Sequence, residues 1–156
     1  MPVIQCASQM RKYEESLPLK LLKAREVTMN FFRPVLQEIP LTEQQWRIIR
    51  ALVQHEELES KQLADICCIL SPSLTGIISR LEQQDYIQRR RSPEDQRRVL
   101  ISLTDKAKEM FERMTPQLEE RYQEITRQFT QENLDQLSAL LNKLSRIKPG
   151  KKEPVE

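Results

Sequence analysis

A chain of 156 residues, 38% hydrophobic and 31% charged, has room for one compact domain plus an association element. With two glycines only, turn-rich barrels and sandwiches are disfavoured, and neither a G-x-G-x-x-G nor a Walker phosphate loop is present. The formal charge of +2 says little until it is mapped: Arg89 to Arg98 holds five arginines against Glu94 and Asp95, a local +3, while the rest carries −1.

One histidine, His55, and three cysteines, Cys6 and the adjacent Cys67 and Cys68, offer no C-x-x-C metal spacing and no histidine-based catalytic set. No catalytic residue, metal or cofactor is therefore expected. No apolar run approaches the roughly 18 residues of a membrane span, and Met1 to Pro18 lacks a signal-peptide pattern. A cytoplasmic location is the expectation.

Residues 1–17 show weak periodicity and read as an N-terminal arm or short helix. From Pro18, the spacing of Leu19, Leu22, Met29, Phe32 and Leu36 predicts an amphipathic helix to about Ile39, loosened near its end by Pro34. Pro40 blocks continuation. Thr42 then caps a second helix carrying Trp46, Ile49 and Leu52 and ending near His55. Glu57 to Glu59 reads as a short connector with one or two strand residues. Ser60 is the next expected cap, opening a helix through Leu63, Ile66 and Cys67.

Ser71-Pro72 repeats the start signal, a cap followed by proline at the first helical position. The helix after it puts Leu74, Ile77, Ile78 and Leu81 on one face and stops near Asp85. Two short helices joined by a tight turn make a helix-turn-helix. The period then changes to that of strands at Tyr86-Ile87-Gln88-Arg89 and at Val99 to Leu103. A polar loop, Arg91 to Arg97, joins them and places most of the arginine cluster at a hairpin tip. The expected architecture is mainly α with a small β-hairpin wing, a winged helix-turn-helix.

Thr104 caps a long helix through Met110, Met114, Leu118 and Tyr122 to about Phe129, with a bend expected at Pro116. Thr130 starts a last helix with Leu134, Leu137, Leu140, Leu141 and Leu144 at helical spacing. These terminal helices carry more apolar stripe than one small module covers, which points to a helical homodimer interface. The expected organisation is an arm at 1–17, a dimerisation region at 18–40 and 104–147, a DNA-binding domain at 41–103 and a flexible tail at 148–156.

A basic segment on a near-neutral body is the footprint of a surface that meets a polyanion. An α-helix fits the major groove of double-stranded DNA, its first residues nearest the base edges. With its leucines and isoleucines inward, the second helix of the motif leaves Ser71, Pro72, Ser73, Thr75, Gly76 and Ser79 for that contact. Gly76 permits close approach and Arg80 has the length to reach a phosphate. In the loop, Asp95 is spaced to hold the Arg97 fork, which would enter a minor groove. Arg89, Arg90, Arg91 and Arg98 are assigned to phosphates, hence to affinity and salt dependence.

The wing residues Asp95-Gln96-Arg97 followed by Leu103-Thr104, with Leu81-Glu82 through Tyr86-Ile87 ahead of them, resemble the D-x-R…L-T signature of MarR (multiple antibiotic resistance) regulators. The resemblance covers about Leu19 to Leu144. Ala24-Arg25-Glu26, Phe32-Arg33-Pro34, Leu41 to Arg47 and Pro72 to Gly76 resemble the branch that represses homoprotocatechuate and 4-hydroxyphenylacetate degradation. It implies a homodimeric repressor that binds operator DNA and is released by a small phenolic or aromatic carboxylic acid.

The resemblance also implies an effector crevice lined by the first, second and fifth helices. A phenolic carboxylate needs an apolar slot and a cation. Met29, Phe32, Trp46, Met110 and Met114 are the slot candidates, with Arg25 and Arg50 as cations and Arg25 preferred. Some regulators of this family switch by cysteine oxidation, which makes Cys6, near Arg11 and Lys12, the alternative sensor. Cys67 and Cys68 read as small buried hydrophobes.

Overall fold

The computed structural model describes residues 11–148. After a single 3-10 turn at Tyr13–Glu15, helix α1 spans Leu17–Gln37 with Pro18 in its first turn, and Pro34 lies inside it. Helix α2 covers Glu43–His55. Thr42 opens it with a capping box: its hydroxyl accepts from Gln45 N–H, and its own N–H donates to Gln45 Oε1 at 2.9 Å. Strand β1 is only Glu57–Leu58, helix α3 is Ser60–Cys67 and helix α4 is Ser71–Gln83.

Two starts fall one residue from their expected places. Ser60 is the first residue of α3 rather than its cap, and Glu59 holds the cap position, its N–H donating to Gln62 Oε1 at 2.9 Å. At α4 the cap position belongs to Leu70, whose carbonyl accepts from both Ser73 and Leu74 N–H. Ser71 and Pro72 are already helical, which proline tolerates because first-turn N–H groups need no intrahelical partner.

Strands β2 (Ile87–Arg91) and β3 (Val99–Leu103) form the wing, and β1 adds on the other edge, giving the antiparallel order β1-β3-β2. The register pairs Arg90 with Leu100, Gln88 with Ser102 and Glu57 with Ser102. Strand β2 runs two residues further than expected, so Arg90 and Arg91 belong to the strand and not to the tip.

Helix α5, Asp105–Phe129, opens with Thr104, whose hydroxyl accepts from Ala107 N–H and donates to the Asp85 carbonyl at 2.7 Å. Pro116 lies inside α5 without ending it. Helix α6 is Gln131–Leu144, capped by Thr130.

The chain divides into two compact units with the boundary after Leu118. In the first, Ile48, Ile49, Leu52, Leu63, Leu81, Ile87 and Ile101 are essentially sealed from solvent. Around them close Leu36 of α1, Leu74 and Ile78 of α4, Leu58, and Ala107 and Met110 of α5. The second unit, from Glu119, has no buried side chain in α6. Among the described residues no single helix is long and apolar enough to cross a membrane.

Candidate nucleic-acid interface

Helix α4 buries Leu74, Ile78 and Leu81, spaced four and three apart, and Ile77 packs at the edge of the same core. That anchoring turns Ser71, Pro72, Ser73, Thr75, Gly76 and Arg80 outward, all exposed, with Ser79 half-buried. The face is small and hydroxylic, able to accept, donate and meet a methyl group at close range. A Cβ built on Gly76 meets nothing within 4 Å.

The wing loop is organised around Ser92, a buried polar residue. Its N–H donates to the Arg98 carbonyl at 2.9 Å, and its hydroxyl accepts from Glu94 N–H at 3.3 Å. Asp95 holds Arg97 through the backbone: Oδ1 accepts from Arg97 N–H at 2.9 Å. The expected side-chain fork between the two is not what forms. A carboxylate two residues back fits the backbone N–H of an Asx turn, and the guanidinium of Arg97 is left projecting.

The other wing arginines meet protein partners. Arg90 makes two bonds to Glu57, Nε to Oε1 at 2.6 Å and Nη2 to Oε2 at 2.5 Å. Arg98 pairs with Glu59 at 2.5 Å and Arg89 with Glu82 at 3.0 Å. Arg91 donates to the Gln96 carbonyl at 2.6 Å across the loop. Hydrogen bonding to Arg90 holds the Glu57 carboxyl below its ordinary range. No local sequence pattern pairs these three glutamates with the wing arginines. Glu57 and Glu59 precede their arginines by 33 and 39 residues, and only the folded sheet brings them together.

The residues expected to hold an acid fall in three places. Trp46, Met110 and Met114 are buried in the core with Met29 and Phe32 packed against it, and Trp46 stacks on Phe111 at 5.4 Å between centroids. Arg25 lies among carboxylates: Nη2 donates to Glu43 at 2.7 Å and Nη1 to Glu26 at 2.8 Å. Arg33 bridges the same two glutamates, with Glu43 at 2.8 Å and Glu26 at 2.6 Å. Hydrogen bonds from Arg25 and then Arg33 hold Glu43 below the usual carboxylate range. Arg50 is exposed and borders a recess of about 260 Å³ with Arg47, Gln54, His55 and Cys67.

Cys6 lies outside the described residues. Cys67 is buried, and burial pushes its thiol up, away from reactivity, whereas Cys68 is exposed.

A small-faced helix beside an arginine-bearing hairpin, on one sealed core, is the build of a winged helix-turn-helix DNA-binding regulator. Residues 41–99 match the MarR family. The chain is 40% identical over 141 residues to the homoprotocatechuate degradative operon repressor of Escherichia coli, spanning 90% of this chain and 95% of that one. It belongs to the MarR family of transcriptional regulators. Among solved structures, the transcriptional regulator PA4135 superposes with a TM-score of 0.81 at 51% identity, over 86% of this chain and 98% of that one. NadR in complex with 4-hydroxyphenylacetate gives 0.78 at 38% identity, over 95% and 100%.

Proposed function

We propose that the chain is a dimeric repressor of an aromatic-acid catabolic operon, released from its operator by a phenolic carboxylic acid. The observation that carries the reading is the exposed hydroxylic face of α4 beside a projecting Arg97, in a chain similar along nearly its whole length to an operon repressor of that kind. Residues 41–103 would read the DNA. Two copies of α4 would enter successive major grooves roughly 34 Å apart, with Arg97 of each wing in a flanking minor groove.

Residues 18–40 and 104–147 would pair the protomers. Leu22 and Val27 of α1 and Leu140 of α6 are 55%, 60% and 62% exposed, apolar surface in the two segments assigned to that contact. The effector would act by preferring a dimer whose α4 spacing misfits the operator, lowering affinity by that preference alone. Support for an acid comes from the similarity to NadR, crystallised with 4-hydroxyphenylacetate. An acid drawn to Arg25 would compete with Glu43 and Glu26, and so would act on the join between α1 and α2.

The test is fluorescence anisotropy on promoter DNA beside the chain's own gene, with a panel of acids. Release by 4-hydroxyphenylacetate or 3,4-dihydroxyphenylacetate but not by benzoate is expected. Absence of specific binding overturns the reading. Release by peroxide alone replaces the acid with a cysteine switch.

A further inference from the structure

The five wing arginines are not equivalent. Arg90 projects from β2 and reaches Glu57 on β1 by passing over β3, a span of roughly 10 Å across two strand spacings. Its pair therefore straps all three strands on one face of the sheet. Arg98 ties the returning end of the loop to Glu59 at the start of α3. Arg89 ties β2 to Glu82 on α4, and Arg91 closes the loop on itself through the Gln96 carbonyl. Each of the four thus fixes the wing to a different neighbour: strand β1, the start of α3, α4 or the loop's own far side. Among the described residues, the ion pairs of the wing use Arg89, Arg90 and Arg98, and none uses Arg97.

Charge follows the same division. The local +3 falls to zero once Glu57, Glu59 and Glu82 are counted beside the five arginines, so the wing is not a diffuse cationic patch.

We infer that Glu57 and Glu59 are positioning residues for DNA binding: with Arg90 and Arg98 they set the pose of the wing that carries Arg97. The inference rests on the winged helix being the DNA-binding surface and assigns within it which arginines hold the wing. A guanidinium held by a carboxylate releases no counterions from DNA, whereas one that neutralises a phosphate does. The two roles therefore separate in the salt dependence of binding rather than in affinity.

The experiment uses the full-length protein and a duplex that it selects from a random library, with binding followed by anisotropy over a range of salt. Arg97→Ala is expected to weaken binding and lower the salt slope by about one unit. Glu57→Gln and Arg90→Gln are each expected to weaken binding up to about fivefold, the size of one half-exposed ion pair, with the slope unchanged. The double variant should bind no worse than either single one. The swapped pair, Glu57→Arg with Arg90→Glu, should restore wild-type affinity and slope.

If Glu57→Gln instead tightens binding and steepens the slope, Arg90 belongs to the phosphates and the inference falls. It falls equally if the swapped pair binds worse than Arg90→Gln, because a carboxylate at 90 would then face the DNA backbone. Wild-type protein that selects no duplex refutes the DNA surface itself, an outcome separate from either. Melting curves of each variant confirm that the wing's host domain is intact.

Discussion

The chain before Leu118 and the chain after it use the same kind of residue to opposite ends. In the first, leucines and isoleucines at helical spacing are sealed: Leu63 and Leu81 are 0% exposed. In the second, leucines at the same spacing stand open, Leu137 and Leu141 about 40% exposed. Periodicity makes both segments helical, but it does not say what covers the stripe. The winged-helix body supplies its own cover from α2, α3, α4 and the sheet. Among the described residues no side chain of helix α6 is buried, so its stripe is apolar surface that the proposed second copy would complete.

The contrast can be broken from the core side first. Leu81→Ala removes a sealed side chain and should lower the unfolding free energy by about 2–5 kcal/mol in a denaturant titration. A loss below about 1 kcal/mol would show that the body has slack. On the other side, Leu140→Glu should leave the unfolding of the body unchanged while weakening self-association about tenfold or more, read by sedimentation. Equal destabilisation of the body would abolish the distinction.

Smaller effects sharpen it. Thr42→Ala deletes one half of the capping box and should cost about 1 kcal/mol, with the melting transition remaining single. The Glu43 cluster adds a pH-dependent part. Because Arg25 and Arg33 keep its folded pKa below the ordinary 4.5, its stabilisation is full above that value and is lost as pH falls through the lower folded value. Glu43→Gln should therefore flatten the fall of the melting temperature below pH 4.5, by well under about 1 kcal/mol. A profile unchanged by the substitution would mean that the carboxylate is not held in solution.

Much of this was legible in the chain before folding. Thr42, Thr104 and Thr130 each announce a helix by a local rule, and each does cap one. The serines at 60 and 71 announce helices too, but Glu59 and Leu70 take the cap positions. At Glu59, the backbone N–H meets the returning Gln62 side chain while the carboxylate reaches Arg98. The arginine run was legible as charge and illegible as structure. Its partners lie up to 39 residues away, and an ion pair at that separation depends on sheet order, which no local pattern encodes. The Asp95–Arg97 spacing has the length for a side-chain fork, but the backbone N–H is nearer and needs less ordering.

Gly76 has a consequence for the history of such a protein. It lies inside α4 without a positive φ, and an added Cβ there would touch nothing. The helix therefore does not need glycine; alanine would make it more stable by about 0.5–1 kcal/mol. A substitution there changes the outward face without disturbing the core. On the proposed reading, in which this face meets operator DNA, one copy after gene duplication would gain a different operator preference in a single mutational step while keeping its fold. The fold thus leaves open a route by which a regulator of one operon gives rise to the regulator of another.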